Sequence, residues 1–104
     1  MRHITLHSEA SAEMNAAAAF YESRAQGLGH AFLDEIQRVF EQLVKMPEAG
    51  APTDDCLRRK TLRRFPHTII YTLQENRIRV LAVAHQKRYP GYWLQRQQDI
   101  PGEQ

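Results

Sequence analysis

The pattern of apolar residues predicts an α+β fold: two antiparallel helices packed on one face of a mainly antiparallel four-stranded sheet, in the order β-α-α-β-β-β. Three observations predict it. Apolar residues recur at helical spacing from Ala10 to Met46. After Pro47 and a loop rich in turn-forming residues, the period changes to β-branched, alternating runs. A glycine-containing break, Gln26-Gly27-Leu28-Gly29, divides the helical stretch into two segments that a short turn would fold into an antiparallel hairpin.

Each element has its own justification. His3-Ile4-Thr5-Leu6-His7 alternates, with Ile4 and Leu6 on one face, and reads as a short strand. Ser8 stands where a helix N-cap belongs, with Glu9 in the first turn. Ala10, Met14, Ala17, Ala18 and Tyr21 then form a helical stripe that ends near Arg24. The second helix is expected from about Leu28 to Met46. Phe32, Ile36, Val39, Phe40, Leu43 and Met46 make its apolar face, and Asp34, Glu35, Arg38, Glu41 and Gln42 its polar face. Pro47 stops it. Residues 47–56 read as a loop. Leu57–Arg64, Phe65–Leu73 and Arg77–His85 read as strands, the last two joined through Gln74-Glu75-Asn76-Arg77.

The final hairpin can be registered from sequence. With Glu75-Asn76 as a two-residue loop, Ile69, Tyr71 and Leu73 oppose Ala82, Val80 and Ile78 on one apolar face. The opposite face then carries Ile70, Leu81 and Val83 beside Thr68, Thr72 and Arg79. Two helices cover only one side of a sheet, and the residues after Trp93 are polar. The second face is therefore expected to be covered by a partner.

Composition bounds the class. The chain has 104 residues, of which 42% are apolar and 25% charged, as expected of one globular domain. That domain is expected over residues 1–93, with 94–104 as a short polar tail. A single cysteine, Cys56, excludes a disulfide framework and a cysteine-rich zinc site. His3 and His7 lie about 13 Å apart in an extended strand, too far to share an ion. No metal and no cofactor are expected. The longest apolar run, Ala16–Tyr21, is too short to span a bilayer, so no membrane contact is expected. Met1-Arg2-His3-Ile4 does not resemble a secretory leader, which makes the cytoplasm the expected address. Charge is divided sharply. Residues 1–56 hold four Lys/Arg against nine Asp/Glu, a net of −5, while residues 57–104 hold ten against three, a net of +7. The basic half should attract an anionic partner. No helix clusters basic side chains for a major groove, so sequence-specific DNA reading is not expected.

Several ordered phrases carry a resemblance. They are Gly27-Leu28-Gly29 before Phe32-Leu33-Asp34-Glu35, then Pro47-Glu48-Ala49-Gly50, Leu62-Arg63-Arg64-Phe65-Pro66 and Ile70-Tyr71. The last runs from Val80-Leu81-Ala82-Val83-Ala84-His85 through Arg88-Tyr89-Pro90-Gly91-Tyr92-Trp93. Over roughly residues 3 to 93 the chain resembles the RelE/ParE superfamily of type II toxins, on its ParE-like, plasmid-stabilisation side. The resemblance implies a toxin held inactive by a cognate antitoxin whose acidic segment folds onto it. It implies one of two activities: binding DNA gyrase, as ParE-type members do, or cutting mRNA in the ribosome, as RelE-type members do. A toxin-fold binding module without toxicity is the third alternative.

The residues favour binding. RelE-type members carry an arginine in a phrase like Arg-Leu-Val-Tyr, and the matching stretch here is Thr68-Ile69-Ile70-Tyr71. Threonine does not stabilise a developing phosphate charge as a guanidinium does. Arg64 or Arg79 would have to supply it. In the hairpin register His67 and His85 point to opposite faces, which leaves His85, with Arg64 and Arg88, as the candidate catalytic set. Arg58, Arg59, Lys60, Arg63 and Arg64 form the densest charge in the chain. With Ile70, Leu81, Val83 and Tyr92 they are the candidate docking surface for antitoxin or target. Trp93 is expected to close the end of the core, and Tyr92 either to do the same or to stack on a base.

Overall fold

The computed structural model describes residues 2–53 and 56–98. Strand β1 (His3–Leu6) leads into helices α1 (Ser8–Arg24) and α2 (Leu28–Lys45). Strands β2 (Ala51–Pro52), β3 (Arg58–Thr61), β4 (His67–Leu73) and β5 (Arg77–His85) follow, then a short 3-10 helix at Leu94–Gln98. The sheet has five strands rather than four, in the order β1-β5-β4-β3-β2. β1 runs parallel to β5 and every other pairing is antiparallel. The extra strand, β2, is two residues long and contains a proline. Its length hides it from periodicity, and its place at the sheet edge tolerates the missing N–H.

The helices begin where the breaks were expected, but their caps differ. His7, not Ser8, caps α1: its Nδ1 accepts from the Glu9 N–H at 3.0 Å. Glu22 of α1 caps α2 across the turn, accepting from the N–H groups of Gly27 (2.8 Å) and Gly29 (3.0 Å). Those bonds hold the Glu22 carboxyl below the usual carboxylate range, that from Gly27 contributing most. Gly29 allows the helices to approach closely, since a Cβ there would sit 2.4 Å from the Ala18 carbonyl oxygen.

Both helices cover the same sheet face. Ala10, Phe32, Ile36, Val39 and Leu43 meet Ile69, Tyr71, Ile78, Val80 and Val83 in the larger core cluster, flanked by Met14, Ala17, Ala18 and Tyr21. The polar face of α2 departs from expectation at Glu35, which is 3% exposed. Its carboxylate accepts from the backbone N–H groups of Arg63 and Arg64 and so holds the turn between β3 and β4. Tyr71 does similar work at the other end of β4: its hydroxyl donates to the Pro47 carbonyl and accepts from the Gly50 N–H, both at 2.8 Å. Burial raises the Tyr71 pKa, so it remains a donor.

The hairpin register holds only for half its length. Leu73↔Ile78, Thr72↔Arg79 and Tyr71↔Val80 pair as expected. A bulge on β5, opposite the step from Ile70 to Tyr71, then inserts Leu81 as an extra residue, and Ile70 pairs with Ala82, Ile69 with Val83, Thr68 with Ala84 and His67 with His85. One skipped residue moves every later β5 side chain to the other face. Val83, expected on the uncovered face, lies in the helix-covered core at 2% exposure. His67 and His85, expected on opposite faces, share one face, with ring centroids 5.0 Å apart.

The second face is covered by the chain itself. Leu57, Ile70, Leu81, Ala82 and Ala84 form a smaller cluster on which Tyr92 and Trp93 pack. Trp93 thus packs on the core as expected, and Tyr92 joins it. Ile70 and Leu81, expected to await a partner, are 2% and 1% exposed. Residues 99–104 of the expected tail lie outside the described residues. Residues 94–98 run in the 3-10 helix, and Arg96 ties them to α1 through a two-pronged pair with the Glu13 carboxylate at 3.0 and 3.2 Å. Glu13 and Arg96 also complete the edge of β5 beyond the end of β1. Glu13 accepts from Val83 N–H (3.0 Å) and Arg96 donates to the Leu81 carbonyl (2.9 Å).

Candidate functional site

Two basic grooves flank β3 and β4. The first, about 640 Å³, lies between α2 and β3. Arg38, Val39 and Gln42 recur at i, i+1 and i+4 along one side of α2, and Lys60, Arg63 and Arg64 face them. The one carboxylate in its wall is Glu35, already engaged by two backbone N–H groups. Four cationic side chains therefore border this groove without a competing free carboxylate among its lining residues.

The second groove, about 620 Å³, opens on the sheet face away from the helices. Arg59, Thr68, His85, Arg88 and Trp93 line it, with Ile70 at its floor. The side chains alternate along β3. Arg59 pairs with Ile70 on this face, whereas Arg58 and Lys60 pair with Tyr71 and Ile69 on the helix side. Arg58 is turned to structure, donating to the carbonyl oxygens of Gly50 (2.7 Å) and Glu48 (3.2 Å), and so pins the loop before β2.

The candidate catalytic set is therefore divided. His85 and Arg88 both belong to the rim of the second groove, but the His85 ring turns to His67 on the helix side, and Arg64 borders the first groove. Arg79 is 4% exposed and offers no surface charge. The Thr68 hydroxyl lies 3.3 Å from that of Thr61. His85 Nδ1 accepts from the Lys87 N–H at 3.0 Å, which places its remaining proton on Nε2. Its neighbour His67 is 5% exposed and wedged among Tyr21, Phe32 and His85. Burial, reinforced by the nearby His85, lowers the His67 pKa from 6.5 to about 4, and His67 is neutral at neutral pH.

The docking candidates also divide. Arg59, Lys60, Arg63 and Arg64 border the grooves, Arg58 braces a loop, and Ile70, Leu81 and Val83 are interior. Tyr92 is half-buried between the guanidinium carbons of Arg88 (3.9 Å from its ring centroid) and Arg96 (5.0 Å). Burial and the facing Glu13 raise its pKa, keeping the hydroxyl protonated. Sequence reasoning missed Arg38, which reads as part of a solvated helix face until β3 is placed beside it. It also missed the Glu13–Arg96 pair, whose members are 83 positions apart. Among the described residues no group of three or more His, Cys, Asp or Glu side chains could hold a metal ion, and no helix is long and apolar enough to cross a membrane.

Comparison with known proteins bears on this geometry. The family model described as the ParE toxin of the type II toxin–antitoxin system parDE matches residues 4–90. A solved structure, the chromosomal ParDE TA system from P. aeruginosa, shares the fold at a TM-score of 0.61 and 20% identity, covering 82% of this chain and 96% of that one. No curated relative matches. The match to the family model stops before Arg96.

Proposed function

Because this chain belongs to the ParE toxin family of type II toxin–antitoxin systems, we propose that it is the toxin of such a pair, neutralised by a cognate antitoxin and acting in the cytoplasm by binding DNA gyrase. The observation that supports binding over bond cleavage is the dispersal of its candidate catalytic groups. Cleavage of RNA by its own 2′-hydroxyl needs a base, an acid and a cation converging on one phosphate. Here the half-buried imidazole of that set, His85, packs edge-on against the interior His67, with ring centroids 5.0 Å apart, whereas Arg88 borders one groove and Arg64 the other. What the surface offers instead is two electropositive grooves, suited to occupation by an acidic macromolecular surface.

The test is direct. Expression of the chain alone should arrest growth, and co-expression of the protein encoded by the adjacent reading frame should restore it. The purified chain should inhibit supercoiling of relaxed plasmid by gyrase in proportion to its concentration. Arrested growth with supercoiling unaffected would remove gyrase as the target. Undisturbed growth would remove toxicity and leave a toxin-fold binding module.

A further inference from the structure

We propose that the chain pairs with a second copy of itself through the outer edge of β1, joining the two sheets into one continuous sheet. The proposal goes beyond the toxin reading and does not depend on it.

The two edges of the sheet are built differently. At one, β2 carries Pro52, and its neighbour β3 carries Arg58, Arg59 and Lys60; proline and cations keep a strand edge from pairing. At the other, His3-Ile4-Thr5-Leu6 has no proline, no lysine or arginine and no acid. Among the described residues no strand lies outside it. The His3 N–H donates to the Asn76 carbonyl (3.4 Å) and the His7 N–H to the Val80 carbonyl (2.8 Å), both on the β5 side. Backbone groups alternate along a strand, so those of Thr5 also face β5, and those of Ile4 and Leu6 face outward.

This edge is complementary to itself. A two-fold axis at Thr5 sets Ile4 against the second copy's Leu6, and Leu6 against its Ile4, in antiparallel register. Each such pair exchanges both of its N–H···O bonds. Ile4 and Leu6 pack, partly buried, against the larger core cluster, so their side chains continue that core across the joint. Thr5 lies on the opposite face and meets its own copy at the axis, in the closer, non-hydrogen-bonded pair. Thr5 Oγ1 is buried and, among the described residues, has no hydrogen-bond partner. Rotation about χ1 turns it to the facing threonine. The sheet already holds one pair of this kind: Thr61 stands opposite Thr68, with hydroxyls 3.3 Å apart.

Charge agrees with the register. Arg2 falls opposite the second copy's Ser8 and so beside its Glu9, which is exposed in the first turn of α1. Only the Arg2 Nε is engaged, donating to the Gln74 carbonyl at 2.7 Å. The two-fold makes this contact at both ends of the joint. A foreign strand would have to match the outward amides, the threonine and the arginine together, whereas a second copy matches all of them by symmetry. The groove between α2 and β3 lies at the far edge of the sheet and stays open in such a dimer.

Sedimentation equilibrium of the purified chain tests this. It should show monomer and dimer exchanging with a dissociation constant on the order of 10 μM, as suits a short interface. As the dimer fills, amide exchange at Ile4 and Leu6, followed by NMR, should slow by about tenfold, with Thr5 unchanged. Arg2→Glu sets like charges together and should weaken the dimer about tenfold, and adding Glu9→Arg should restore it, a recovery that misfolding does not give. Thr5→Val should weaken it about fivefold, with the melting temperature of the monomer not lowered. A chain that stays monomeric at hundreds of micromolar would overturn the proposal, and protected Ile4 and Leu6 amides in that monomer would assign the edge to the chain's own residues. A dimer indifferent to these variants, with both amides exchanging freely, would overturn it by moving the interface elsewhere. Either result leaves the toxin–antitoxin reading standing.

Discussion

The two faces of the sheet are covered by different devices. On one, two full helices bury a cluster that includes Phe32, Ile36, Leu43, Ile69 and Tyr71, all at 2% exposure or less. On the other, two aromatic side chains and one turn of 3-10 helix cover a cluster of five buried residues. The helical face is held by apolar area, which is non-directional and large. The other face is held by one ion pair whose members are 13% and 15% exposed and which also completes the edge of β5. Stability therefore resides on the helical side, and the second face depends on a few polar contacts.

Substitutions on each face test that contrast. Phe32→Ala, in the helical core, should destabilise by about 4 kcal/mol in urea unfolding, and Trp93→Ala, partly buried on the other face, by less. Equal costs would break the comparison. Arg96→Ala leaves the Glu13 carboxylate largely buried, with Arg88 4.0 Å away as its remaining cation. It should cost about 3 kcal/mol and shift the emission of Trp93, the single tryptophan, to the red. A large loss of stability without that spectral shift would mean that the pair does not hold the covering segment.

Much of the helical side was legible in the sequence because it follows from periodicity. The apolar stripe of α2 fixed both its span and its buried face, and Pro47 fixed its end. The other side was not legible, for three physical reasons. The bulge at Leu81 leaves no mark in the alternation, because Leu81, Ala82 and Val83 are all apolar and either register puts apolar side chains on both faces. That single slip moved Val83 inside and joined His67 to His85. The Glu13–Arg96 pair spans nearly the whole chain, and neither residue stands out locally. β2 is too short to show a period. The basic run from Arg58 to Arg64 was visible, but its division between two grooves and a loop brace follows from strand alternation and from Glu35, which reads as an ordinary solvated helix residue.

Glu35→Ala sharpens that last point. It strips the Arg63 and Arg64 N–H groups of their acceptor and should cost about 2 kcal/mol. It should also weaken antitoxin binding by more than its effect on folding explains, measured by titration calorimetry below the melting temperature. An unchanged affinity would separate the turn from the groove.

A smaller effect should appear in the pH dependence of stability. The His67 pKa is lowered from 6.5 to about 4 on folding, so below 6.5 the unfolded chain binds the proton more readily than the folded one. Stability should be fully present above 6.5 and fall as pH drops from 6.5 towards 4. His67→Phe should flatten that slope in thermal melts across this range. A slope that survives the substitution would assign it to other groups.

Under the function proposed above, this toxin-family chain acts by occupying a target rather than by cutting RNA. Mapping transcript 5′ ends in translating ribosomes, with and without the purified chain, tests it most directly. No new ends should appear at concentrations that inhibit gyrase. Chain-dependent ends that disappear in His85→Ala, with antitoxin binding retained, would contradict it.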